Sequence, residues 1–275
     1  MEKILLAIDA SYVNINTLDF ACYMASLTRS KLTGVFLENT LEDMAPAGGL
    51  AYGDPFTGMV LTGIEQKRSM CADNIAIFKE TCVKKNISYN IHHDRNIPLR
   101  EIIKESRFAD LLILDAKTSF ITNGEEAPTG FVKKVLMAAE CPVIVAPECF
   151  TGIDEIVFAY DGSPSAVFAI KQFTYLFPGL DEKKVTLLQI NEFESHAVEE
   201  RHQITEWLKS HYSVINIVTL NGRLKSALFG YLMGKTNLMV VMGAFGRSAV
   251  SHFFKSSSAE PVIKAINLPV FIAHH

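Results

Sequence analysis

The amino-acid sequence predicts an α/β protein of two tandem domains, each an open five-stranded parallel sheet with helices on both faces. Short runs such as Ile4–Ile8, Ile156–Tyr160 and Leu238–Met242 are apolar throughout, as strands buried on both faces must be. These runs alternate with longer stretches of helical spacing, the pattern of parallel strands joined by crossover helices. The order also occurs twice. Glu155-Ile-Val-Phe-Ala-Tyr-Asp161-Gly-Ser163 lies over Lys3-Ile-Leu-Leu-Ala-Ile-Asp9-Ala-Ser11, 152 residues later, and Leu268-Pro-Val-Phe-Ile-Ala273 lies over Cys141-Pro-Val-Ile-Val-Ala146, 127 residues later. The two offsets differ by 25 residues, the size of a glycine- and proline-rich insertion after Asn39 that the second copy lacks. Domains are therefore expected at 1–148 and 153–275, joined near Glu148 to Ile153.

In the first copy, strand Lys3–Ile8 ends at Asp9 and is followed by a helix from about Asn16 to Arg29, with Leu18, Ala21, Cys22 and Ala25 on one face. Strand Lys31–Leu37 comes next. Residues 39–63 carry Pro46, Gly48, Gly49, Gly53, Pro55, Gly58 and Gly63 and are expected to form one long mobile loop. Then follow a helix over Ile64–Lys85, strand Ile87–His92, helix Leu99–Ser106, strand Asp110–Leu114, helix Gly130–Ala139 and strand Pro142–Ala146. The second copy reads as strand Glu155–Tyr160, helix Ser165–Phe177, strand Val185–Ile190, helix Glu194–Tyr212, strand Val214–Thr219, helix Leu224–Met233 and strand Leu238–Met242. It closes with a helix over Ser257–Ala265 and strand Pro269–Ile272, Ser257 and Glu260 having capping-box spacing.

Composition narrows the function. The chain has 275 residues, 49% of them hydrophobic, with mean hydropathy +0.19. No apolar run reaches the ~18 residues of a membrane span, and Met1-Glu2-Lys3-Ile4 does not open a signal peptide. A cytoplasmic protein with no membrane partner is expected. A net charge of -4 without a basic block argues against nucleic acid. Cys22, Cys71, Cys82, Cys141 and Cys149 are odd in number and form no Cys-x-x-Cys pair, so packed thiols are expected rather than disulfides or a metal centre.

The stretch Gly243-Ala-Phe-Gly246-Arg247, running on to Ser256-Ser257, follows a buried strand and precedes a helix. Glycines permit close backbone approach, and the N–H groups opening the helix attract anions. Arg247, His252 and Lys255 add positive charge there. Read alone, an ordinary strand-to-helix turn explains the stretch more simply. Asp161, at a strand's carboxyl end, is either a ligand acceptor or a cap acting through Ser163, with nothing local to choose between them. His92 and His93 are adjacent on a strand, point to opposite faces and cannot share a metal. No nucleophile, base and orienter set is present, and no Walker loop.

With both copies laid out, the chain resembles tandem universal stress proteins over nearly its whole length. The resemblance rests on Asp9 and Asp161, on Asp110-Leu-Leu-Ile-Leu114 and Asn237-Leu-Met-Val-Val241, on Pro142 and Pro269, and on the glycine loop. Nucleotide-binding members carry Gly-x2-Gly-x9-Gly-Ser/Thr. Gly243, Gly246 and Ser257 match, with Ser256 at the third glycine; in the first copy the same spacing lands on Ala116, Ser119, Thr129 and Gly130. The resemblance implies a Rossmann-like fold and an adenine nucleotide, ATP with or without Mg²⁺, held by Asp161, Ile190 or Asn191, Gly243, Gly246, Arg247, Ser256 and Ser257. The first-copy loop Thr118–Pro128 carries Glu125 and Glu126 and is expected to repel phosphate. The expected function is stress-response regulation rather than catalysis, with the two domains paired within the chain, a homodimer of chains open to test and a protein partner of unknown kind. The alternatives are an interaction scaffold without nucleotide and a weak ATP hydrolase.

Overall fold

The computed structural model describes residues 1–39, 55–121, 124–191, 199–222, 224–243 and 267–273. Its first half runs β1 (Lys3–Asp9), α1 (Ile15–Thr28), β2 (Lys31–Asn39), α2 (Pro55–Lys84), β3 (Tyr89–Asn96), α3 (Pro98–Ser106), β4 (Leu111–Asp115), α4 (Gly130–Ala138) and β5 (Val143–Ala146). The second half runs β6 (Glu155–Tyr160), α5 (Pro164–Leu176), β7 (Lys184–Asn191), α6 (Glu199–Lys209), β8 (Ile215–Asn221), α7 (Leu224–Leu232), β9 (Leu238–Gly243) and β10 (Val270–Ala273).

The strands form one sheet in the order β3-β2-β1-β4-β5-β10-β9-β6-β7-β8. Each half is parallel and has the same internal order, so the α/β class and the parallel halves agree with the sequence reading. The halves meet edge to edge: β5 and β10 pair antiparallel, with Ile144 opposite Phe271 and Val145 opposite Val270. The two five-stranded sheets are thus not separate layers, because each covers the open edge of the other.

Alternation along the strands divides the core in two. Ile4, Leu6 and Ile8 join Phe20, Phe78, Phe173 and Phe271 under α1, α2, α5 and α6, while Leu5 and Ala7 join Ile102, Val132 and Leu228 under α3, α4 and α7. Full burial of one such large side chain contributes about 1.5–3 kcal/mol. Phe150, in the segment joining the halves, packs edge-on to Phe20 at 4.9 Å and lies 4.8 Å from Tyr23, centroid to centroid, tying the connector to α1.

Several boundaries differ from expectation. Helix α2 begins at Pro55, nine residues before the expected Ile64, so the expected loop 39–63 is helical over its last part; residues 40–54 lie outside the described residues. Proline is tolerated in a first helical turn, where its missing N–H has no partner to lose, and Gly58 and Gly63 each weaken a helix by only about 1 kcal/mol. Strand β3 runs on to Asn96 rather than ending at His92, paired with β2 as far as Asn39. Helix α6 ends at Lys209 rather than at the expected Tyr212, and its expected start at Glu194 lies outside the described residues, as does the whole expected helix Ser257–Ala265. No helix among the described residues is long and apolar enough to cross a membrane.

Candidate functional site

In each half the chain reverses its direction of progress across the sheet between the first and fourth strands, and open parallel sheets bind ligands in the crevice at that point. In the second half β6 and β9 flank it, paired through Ala159 and Met242, so Asp161 and Gly243 both stand at its mouth. Tyr160 pairs with Gln189, which brings the chain beyond Asp161 alongside the end of β7 at Ile190 and Asn191. Four sequence-predicted positions therefore converge: Asp161, Ile190, Asn191 and Gly243. Gly246, Arg247, Ser256 and Ser257, together with His252 and Lys255, lie outside the described residues.

Asp161 is exposed, and its Oδ1 accepts a hydrogen bond from the Ser163 N–H at 2.9 Å. Ser163 in turn caps α5, its hydroxyl accepting from the Ala166 N–H at 3.1 Å. The carboxylate thus fixes the turn leading into α5. Asp9 does the same in the first half, accepting from the Ser11 N–H at 2.8 Å and the Ser11 hydroxyl at 2.7 Å. Burial pushes the Asp9 carboxyl above its ordinary range, opposed by those two hydrogen bonds and by Lys67.

Gly243 has a role that spacing did not reveal. A Cβ there would lie 2.5 Å from the carbonyl carbon and oxygen of Ser165 and 2.6 Å from the nitrogen of Ala166. No side chain fits, because the first turn of α5 passes against the end of β9. Packing alone accounts for this glycine.

Strand register also corrects the match between the halves. Gly243 pairs with Ala273, and its counterpart in the first half, the residue opposite Ala146, is Asp115 rather than Ala116. The turn from α7 to β9 holds one residue more than the turn from α3 to β4, and it contains Gly234 at φ 76° and Asn237 at φ 55°. Where the second half brings α5 against bare backbone, the first half has a carboxylate: Asp115 Oδ2 accepts from Asn14 Nδ2 at 2.5 Å, and Asn14 is the N-cap of α1.

A cavity of about 200 Å³ opens at the crevice of the first half, lined by Asp9, Ser11, Glu38, Lys67, Ser119 and Phe120 among others. Glu38 is held from behind, its Oε2 3.1 Å from both His93 Nε2 and Arg95 Nε, and Cys71 Sγ is 3.6 Å from the same histidine nitrogen. His92 faces the other way, its Nδ1 3.1 Å from Glu105 Oε1, so the two histidines diverge as alternation requires. Glu38, Lys67 and Phe120 carried no sequence signal, since they come together only through the pairing of β2 with β1 and the packing of α2. Beyond the cavity, Glu125 folds back on α4: its Oε1 accepts from the Gly130 N–H at 3.2 Å and its Oε2 from the Ser119 hydroxyl at 2.8 Å. Among the described residues no group of three or more His, Cys, Asp or Glu side chains is arranged to hold a metal ion.

Comparison with known proteins agrees with this architecture. No family model matches the chain. In sequence it is 25% identical over 142 residues to the universal stress protein Slr1230 of Synechocystis, a match covering 50% of this chain and 49%, about half, of that relative. In structure it matches a universal stress protein from Archaeoglobus fulgidus at TM-score 0.68 and 14% identity, covering 99% of this chain and 96% of that one. It also matches a functionally unknown protein, PA1789, from Pseudomonas aeruginosa at TM-score 0.54 and 12% identity, covering 100% and 92% of the two chains. These solved structures fix the fold over the full length, so the chain is similar to universal stress proteins in fold throughout and, through the curated match, in sequence over about half of its length.

Proposed function

We propose that the chain is a stress-response regulatory protein that binds an adenine nucleotide, ATP with or without Mg²⁺, in its second half. The observation carrying this reading is the contrast between the two crevices. That of the second half carries the exposed Asp161 and, at the end of β9, a glycine, Gly243, with no side chain to add charge. That of the first half is ringed by Asp115 and Glu125, whose charge opposes a polyphosphate. Asp161 would accept from the ribose or base, the main chain at Ile190 and Asn191 would border the base, and Gly243, Gly246, Arg247, Ser256 and Ser257 would hold the phosphates.

The packing need for Gly243 favours a second reading, an interaction scaffold without nucleotide, because the glycine requires no ligand to explain it. Assay of the purified protein for co-purified nucleotide, followed by calorimetric titration with ATP, separates the two. The nucleotide reading expects one ATP site per chain, weakened at least tenfold by Asp161→Asn and untouched by Asp9→Asn. No bound nucleotide and no heat of ATP binding would leave the scaffold reading standing.

A further inference from the structure

We propose that the cavity of the first half takes a small, phosphate-free ligand that donates hydrogen bonds, and that Glu125 sets this specificity by occupying the anion position of α4 itself. The cavity, about 200 Å³ in volume, is smaller than the ~300–1,000 Å³ of drug-sized sites, so it suits a ligand no larger than a nucleoside rather than a nucleoside triphosphate. Among the described residues its charged walls are chiefly acceptors, the carboxylates of Asp9 and Glu38 lining it against the ammonium of Lys67. Phe120 supplies an apolar wall. Glu38 does not swing freely, because His93 and Arg95 both hold its Oε2. Asp9 is held likewise by Ser11. Such fixed acceptors favour a ligand carrying N–H or O–H donors and penalise one carrying a negative charge.

Three of the donors that would otherwise meet a phosphate are already engaged. The Gly130 N–H opens α4, a helix of nine residues, and donates to Glu125 Oε1. The Ser119 hydroxyl, itself part of the cavity wall, donates to Glu125 Oε2. Two residues into the helix, the Val132 N–H is taken by the Thr129 hydroxyl at 3.3 Å. The chain therefore brings its own carboxylate to the place where an anion would add helix-terminus contacts, directly beside the cavity. Phosphate would have to displace it.

Adenosine and AMP differ only by a phosphate and so test the proposal directly; the choice of an adenine-bearing probe rests on the nucleotide reading above. The full chain is titrated calorimetrically with each, as wild type and as Asp9→Asn, Asp161→Asn, Glu125→Ala and Glu125→Gln, with circular dichroism melts to confirm folding. The expected result is an adenosine site weakened at least tenfold by Asp9→Asn, while wild-type AMP binding does not respond to Asp9→Asn. Glu125→Ala then adds an AMP site that Asp9→Asn removes, and Glu125→Gln, which keeps the side chain's shape, adds it more weakly. An adenosine isotherm indifferent to Asp9→Asn, or unchanged AMP stoichiometry in both Glu125 variants, overturns the proposal. Failure of the nucleotide reading shows separately, as the absence of any site that responds to Asp161→Asn.

Discussion

A Cβ on Gly243 would stand 2.5 Å from the carbonyl oxygen of Ser165, so the end of β9 and the first turn of α5 are in backbone contact. Neither side can yield as a flexible side chain would. Gly243→Ala is therefore expected to destabilise the fold by about 1–3 kcal/mol, the usual cost of overpacking, and Gly243→Val by more. Urea denaturation checks this, and a neutral alanine variant would mean the helix can retreat at little cost. Ligand binding is better probed at Asp161, whose exposed carboxylate can become an amide without loss of shape.

Stability should also fall at alkaline pH. Burial pushes the Cys141 thiol up to about 12, with the Asp110 carboxylate adding to the rise and Lys3 opposing it. Burial likewise pushes the Tyr212 phenol up to about 12, opposed by its hydrogen bond with Thr174. An unfolded cysteine loses its proton near pH 8.5 and an unfolded tyrosine near pH 10. Between those values and about 12 the native state holds protons the unfolded chain has released. Both contributions are complete below the unfolded values and are lost as pH rises towards the folded ones. Each such group costs about 1.4 kcal/mol per pH unit within its window. Denaturant midpoints at pH 8, 9 and 10 should decline, and Cys141→Ala should flatten the first part of that decline; parallel slopes in the two proteins would contradict the assignment.

Thiol reactivity should single out one residue. Cys22, Cys71, Cys82 and Cys141 are buried and Cys149 is exposed. Burial raises the Cys71 thiol, and the hydrogen bond shared with Cys22 raises that of Cys82 while lowering that of Cys22. A disulfide reagent at neutral pH should modify Cys149 quickly and the other four only on unfolding, as peptide mass mapping would show. Rapid modification of Cys22 or Cys82 would mean that α1 and α2 separate readily.

Much of the fold was legible because strands buried on both faces leave apolar runs that polar loops interrupt, as at Ile4–Ile8 and Leu238–Met242. Asp9 and Asp161 could be found from where those runs end. The first turns of α2 could not, since Gly58 and Gly63 carry the same signal in a loop and in a tolerant helix. The partner of Gly243 was misread by one residue, as the extra residue between α7 and β9 is later offset in the connection to β10, leaving the overall spacing unchanged. The docking of Glu125 on Gly130 was invisible for a different reason: the sequence shows that charge but not the direction in which it turns.

The start of β1 supplies a last test, because the two halves meet one need by different means. Asp110 Oδ2 accepts from the Glu2 N–H at 2.7 Å and the Lys3 N–H at 2.9 Å, fastening the first strand to the start of β4. In the second half the backbone carbonyl of Asn237 accepts from the Asp154 N–H at 2.7 Å and the Glu155 N–H at 3.3 Å. The extra residue before β9 brings a carbonyl to the place that a side chain fills in the first half. Asp110→Ala should therefore leave two strand N–H groups without their acceptor and cost about 1–2 kcal/mol, while Asp110→Asn, which keeps an acceptor oxygen, should cost less. Hydrogen exchange locates the effect: the Glu2 and Lys3 amides should lose protection in Asp110→Ala while those of Asp154 and Glu155 keep theirs. Equal loss at both strand starts would mean that the two halves open together, their shared β5–β10 edge transmitting the damage.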